Sequence, residues 1–192
     1  MPLKKSLRLL KLSLLNISMF KMNKLIIPLI IVIAAITRLI PHPPNFTPII
    51  AMGLFGGTYI QNRALALLIP IGAMFLSDYF LGLHSTIYWV YSSLLLVVIL
   101  GIILINRVNI KNCMAAALSG SFLFFVVTNF GVWFTSGYYP KNLEGLIACY
   151  TLALPFFGNT LISSVIYTAI MFGGYEILKR TLFQFAPESI QK

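Results

Sequence analysis

The sequence predicts an all-α integral membrane protein, a bundle of six transmembrane helices with both termini on the cytoplasmic side. Three observations carry this. First, apolar residues make up 59% of the 192 positions and charged residues only 9%, against roughly 45–50% and 25% in an average globular chain. Four acids and fourteen bases are too few to clothe a water-soluble surface. A soluble enzyme, a disordered chain and a classical nucleic-acid binder are excluded, the last because basic patches must cluster on a folded face. Second, the apolar residues fall in runs near the 20 or so needed to cross a bilayer. Third, the bases are sorted between alternate connections.

The runs follow in order. Leu25–Ile40 is the first and ends at Arg38 and a proline cluster. Pro48–Tyr59 is short and glycine-rich, with Thr47 placed as its N-cap and Pro48 as its first helical residue. Ala64–Phe80 is the third, and Ile87–Ile105, which carries no charge, is the fourth, capped by Ser85 or Thr86. Cys113–Phe134 is the fifth. The last apolar stretch, Leu146–Leu178, is too long for one straight span. Pro155 and Gly158-Asn159 divide it into a re-entrant or interfacial piece, Leu146–Leu154, and a sixth span, Phe157–Leu178. Lys179 and Arg180 close that span, and Glu176 is spaced to pair with them.

Twelve of the fourteen Lys and Arg fall on one side of this arrangement, in residues 1–24, the two short turns and the C-terminal end from Lys179 onward. Only Arg38 and Lys141 fall on the other. Positively charged connections stay in the cytoplasm, and an even number of spans returns both ends there. The chain thus divides into a basic extension, residues 1–24, a membrane domain, 25–180, and a tail, 181–192. Leu3, Leu7, Leu10, Leu14 and Ile17, with bases between them, read as an amphipathic helix on the inner leaflet; the alternative is a mis-assigned start, with Met22 opening the membrane domain. Two cysteines give no disulfide framework and read as buried thiols.

The polar chemistry gathers on the outer side. The inner turns are short and plain. The outer connections are Pro41–Pro48, Ser77–Thr86 and Asn129–Gly145. They hold both histidines, Trp133 and three of the nine tyrosines. A binding pocket combines apolar walls with a few placed polar groups. The candidate substrate-binding residues are His42, Asn45, Phe46, Asp78, Tyr79, His84, Asn129, Trp133, Tyr138 and, at the break in the last stretch, Asn159. Each has a plainer alternative. The prolines stiffen a turn, the aromatics form an interfacial belt, and Asp78 pairs with Arg38. Intramembrane acids are functional-site hypotheses by default, so Asp78 stands first. His42, His84 and Asp78 together have the chemistry of a transition-metal site, though no local spacing enforces it. Gly53 and Gly57 have the small-x-x-x-small spacing that lets helices approach closely.

The segments Arg38–Pro48 (RLIPHPPNFTP), Ala51–Gly57 (AMGLFGG) and Ser77–His84 (SDYFLGLH) resemble a family of bacterial membrane proteins catalogued as a domain of unknown function and described as transport proteins. The resemblance runs from about Arg38 to Arg180. The architecture is in turn similar to the substrate-binding S components of energy-coupling-factor vitamin transporters. That likeness implies capture of a small micronutrient by the outer loops in the bacterial cytoplasmic membrane. It also implies a membrane coupling subunit and ATPases as partners, since the chain lacks the G-x-x-x-x-G-K-[ST] of a nucleotide site. Cobalamin-type S components carry a cysteine beyond the third span, which is absent here. Nickel and cobalt S components carry an N-terminal Met-x-His, also absent. The sequence leads to no cofactor and no nucleic-acid partner. The other readings are a ligand-free structural or assembly protein and an intramembrane enzyme; H-E-x-x-H and G-x-S-x-G are both missing.

Overall fold

A computed structural model describes residues 24–83, 85–104 and 108–184. The basic extension before residue 24, His84, Arg107 and the tail beyond residue 184 lie outside the described residues.

Six helices account for nearly all of it, and no strand occurs among the described residues. Helix α1 covers residues 24–36 and tightens into a 3-10 turn, Thr37–Leu39. Then come α2 (Ile49–Tyr59), α3 (Arg63–Leu81), α4 (Ile87–Leu104), α5 (Ile110–Thr135) and α6 (Leu143–Gln184). Asparagines set three of the starts. Asn62 accepts from the Leu65 N–H (3.1 Å), Asn109 from Asn112 (2.9 Å) and Asn142 from Gly145 (2.8 Å). Each thereby satisfies a donor that the first helical turn leaves free. In the two short turns, Asn62 and Asn109 thus serve as caps.

Three helices are long and apolar enough to cross a membrane, Arg63–Leu81, Ile110–Thr135 and Leu143–Thr181. The side chains are sorted to match. Phe75 and Phe80 on α3, Leu118, Phe122, Val126 and Phe130 on α5, and Ile162, Ile166 and Ile170 on α6 are exposed. Arg38, Ser77, Asp78, Ser93, Ser121, Thr160, Ser163, Ser164 and Thr168 are buried. Water-soluble monomers seldom expose apolar patches on this scale; hydrocarbon accepts them.

Helix α2 is the post of the bundle. It packs against α3, α4, α5 and α6, and every residue from Ile49 to Gly57 is buried. At about 1.5 Å per residue its 11 residues reach roughly 17 Å, short of a hydrocarbon core of about 30 Å. Two glycines let α4 lie directly on it. A methyl group at Gly57 would strike the carbonyl oxygen of Val98, and one at Gly101 would stand 2.6 Å from that of Leu54. The Thr58 hydroxyl bonds the Leu54 carbonyl (2.7 Å) and leans toward that of Gly101 (3.4 Å). The Gly53/Gly57 spacing thus serves packing inside the bundle, as one of its readings proposed.

Two local expectations need correction. Thr47 does not cap α2: Pro48 holds the cap position and no side chain bonds there. The last apolar stretch is not divided. Helix α6 runs unbroken for 42 residues with Pro155 inside it. Proline removes one hydrogen bond, to residue 151. In an apolar surrounding every further backbone group left unpaired costs several kcal/mol, so the helix carries on through the defect.

Overpacking a filled interface typically costs about 1–3 kcal/mol. Gly57→Ala and Gly101→Ala should each lower the melting temperature of the detergent-solubilised protein. Gly72→Ala, whose added methyl meets nothing within 4 Å, should leave it unchanged or raise it.

Candidate functional site

The strongest polar cluster joins the end of α1 to α3 and α4. Arg38 leaves α1 in the 3-10 turn, and its side chain turns inward. Its Nη2 lies 2.8 Å from Asp78 Oδ1, with the two side chains 9% and 1% exposed. Nη1 donates to the Ser77 hydroxyl and to Met74 Sδ (2.9 Å). The Tyr91 hydroxyl donates to Asp78 Oδ2 (2.9 Å). Asp78 therefore has both oxygens occupied, and the ion pair that the sequence offered as one of its roles is formed. A buried charge needs such partners, since taking an ion out of water costs several kcal/mol. Among the guanidinium nitrogens, Arg38 Nε alone is buried without a partner.

A second group pins the proline loop to α6. Phe46 N–H bonds the Pro43 carbonyl (3.0 Å) and Thr47 N–H that of Asn45 (3.1 Å). Asn45 sits at φ +61, a left-handed conformation that asparagine tolerates better than most residues. Asn159 Nδ2 donates to the Pro44 carbonyl (2.9 Å). The Phe46 ring lies 6.2 Å from that of Tyr167, whose hydroxyl is 3.1 Å from Thr37 Oγ1. The structure thus brings Asn159 to the loop that carries Asn45 and Phe46, more than a hundred residues earlier in the sequence. His42, beside them, is exposed and donates from Nδ1 to the Pro43 carbonyl (2.9 Å).

The third group builds the α5–α6 turn. Trp133 Nε1 donates to the Pro140 carbonyl (2.9 Å), and Lys141 Nζ bonds the Trp133 carbonyl and lies 5.5 Å from the Trp133 ring centre. Phe130 and Phe134 stack beside it, and Trp89 of α4 meets Phe130 edge-on at 5.4 Å. Asn129 Nδ2 bonds its own helix at the Phe125 carbonyl (2.8 Å). Tyr79 and Tyr138 are exposed.

The ten candidate residues therefore do not form one closed pocket. They sort into three groups, with Tyr79, Tyr138 and His42 on the surface and His84 outside the described residues. Among the described residues no three of His, Cys, Asp or Glu gather to hold a metal; Asp78 is spent on Arg38 and Tyr91. An apolar groove of about 340 Å³ between α1 and α6, lined by Ile30, Ile33, Thr37, Tyr167, Ile170 and others, contains none of the ten.

Sequence reasoning missed several polar contacts. The Ser121 hydroxyl donates to Ser164 Oγ (2.7 Å). The Tyr59 hydroxyl donates to Glu176 Oε1 (2.8 Å), beside Lys179 at 3.8 Å. A signal existed for the first. Thr160, Ser163, Ser164, Tyr167 and Thr168 recur at helical spacing and mark one polar face of an apolar helix.

Fold and cluster define a class: over the described residues, an all-helical protein with apolar side chains turned outward and one ion pair, Arg38–Asp78, buried within. A family model described as a family of unknown function (DUF6580) matches residues 19–187, and the chain belongs to that family. No curated protein and no solved structure matches the chain.

Removing one partner of a buried ion pair typically costs roughly 3–5 kcal/mol, because the other charge is stranded. Asp78→Ala should therefore destabilise the bundle severely in chemical unfolding from mixed micelles. Tyr91→Phe removes a single hydrogen bond to a charged group and should cost about 1.5–3 kcal/mol.

Proposed function

We propose that this chain is a six-span solute-capture protein of the bacterial cytoplasmic membrane, an uptake subunit of the kind represented by S components of energy-coupling-factor transporters. The observation that carries the reading is the buried Arg38–Asp78–Tyr91 cluster. Charges inside a membrane bundle are costly and mark functional sites by default. This one lies beside the proline loop, at the end of the bundle that the charge count assigns to the outside.

Helix ends support the alternation that six spans require. Arg38 at the end of α1, Asp78 near the end of α3 and Tyr91 near the start of α4 meet at one level. Tyr59 at the end of α2 meets Glu176 toward the end of α6. With the bases concentrated on the second side, both termini fall in the cytoplasm. In this reading a small micronutrient enters at the outer end, next to the proline loop that Asn159 tethers. Uptake then requires a membrane coupling subunit and its ATPases, and the chain performs no catalysis and carries no cofactor.

A second reading has a specific observation behind it. The ion pair and the Trp133–Lys141 turn are well-partnered structural devices, as in a ligand-free assembly protein. The two readings separate in one experiment. Native mass spectrometry of the gently purified protein, followed by small-molecule analysis after denaturation, should release a stoichiometric metabolite if the chain captures solute. Asn159→Ala frees the loop from α6 and should speed loss of that metabolite while preserving the fold. A folded protein that stays empty after growth in rich medium would favour the assembly reading.

A further inference from the structure

Two polar atoms are buried without a partner among the described residues, Thr168 Oγ1 and Arg38 Nε. They differ in setting. Thr168 is wholly enclosed, 0% exposed, and any hydroxyl can turn toward a helix carbonyl. The guanidinium is planar and its fork is fixed. Nη1 and Nη2 are committed to Ser77, Met74 and Asp78, so Nε cannot swing to a new partner without breaking those contacts. A buried donor on a charged group, left unpaired, costs more than a neutral one. The chain leaves the cluster immediately afterward: Leu39 and Ile40 are exposed, and the proline loop follows, tethered to α6 by Asn159.

We infer that Arg38 Nε is the anchoring donor for the captured solute, and that this solute presents an uncharged hydrogen-bond acceptor, an amide, carbonyl or ring-nitrogen group. The inference rests on the capture reading and deepens it. Charge balance at Arg38 selects the ligand class. The single positive charge of Arg38 is already balanced by Asp78 at 2.8 Å. A carboxylate or phosphate on Nε would bring a second negative charge close to Asp78, where little water screens the repulsion. A neutral acceptor satisfies Nε and adds no charge. Nε itself is covered in this state, so the solute reaches it only when the packing around Arg38 opens.

Acetamide and acetate are nearly identical in shape and differ in charge, which makes them suitable probes. The full chain, labelled with ¹⁵N-arginine and held in lipid nanodiscs, is titrated with each at constant ionic strength. The Arg38 Nε–H resonance is assigned by its loss in Arg38→Lys or, should that chain not fold, by eliminating the other four arginines in turn. Acetamide should shift this resonance saturably, at concentrations at least tenfold lower than acetate. An equal or stronger response to acetate would overturn the neutral-ligand assignment. No response to either, with Nε–H exchanging freely with water, would show that a water molecule is its only partner and overturn the site. The metabolite experiment keeps the two levels apart. A metabolite still bound by folded Arg38→Lys leaves capture standing and removes Arg38 from it, whereas an empty wild-type chain removes capture itself.

Discussion

The Arg38–Asp78 ion pair is the constraint around which one end of the molecule is arranged. A guanidinium and a carboxylate that are 9% and 1% exposed survive only if each finds partners, because their desolvation exceeds what a single contact returns. That need fixes three elements at once. The 3-10 turn delivers Arg38, α3 supplies Asp78, Ser77 and Met74, and α4 supplies Tyr91. The proline loop begins where this arrangement ends, so its path toward α6 is set by the same residues.

The remainder of the bundle rests on close backbone approach. Between apolar helices in an apolar solvent, burial of apolar surface gives little drive, and packing decides. Gly57 and Gly101 let α2 and α4 touch backbone to backbone. The short α2 can then be enclosed on all sides while the longer helices meet the surroundings. Ser121 and Ser164 hold α5 to α6 in the same spirit, with small side chains and a hydrogen bond of 2.7 Å.

Much of the fold was legible in the sequence, because membrane-type helices announce themselves by uninterrupted apolar runs. Helices α2 to α5 begin and end within a few residues of the runs that predict them. The Gly53/Gly57 spacing and the Asp78–Arg38 pairing were both readable from residue type and position. The continuity of α6 was not. Pro155 and Gly158 are strong breakers in water, and the sequence does not state that the surroundings penalise a break more than the missing bond. The grouping of the outer residues was also hidden. Hydropathy gives the spans but not their neighbours, so nothing in it places Asn159 on Pro44 or keeps Trp133 away from Asp78.

The pairing of Arg38 with Asp78 is the claim on which the account depends, and a double-mutant cycle tests it most directly. Arg38→Gln, Asp78→Asn and the double variant would be compared by reversible unfolding in one micelle composition. The account predicts strong coupling, on the order of 2 kcal/mol or more, with the double variant more stable than the sum of the single losses requires. Losses that simply add would show that the two charges stand independently in the membrane, and the cluster described here would not exist.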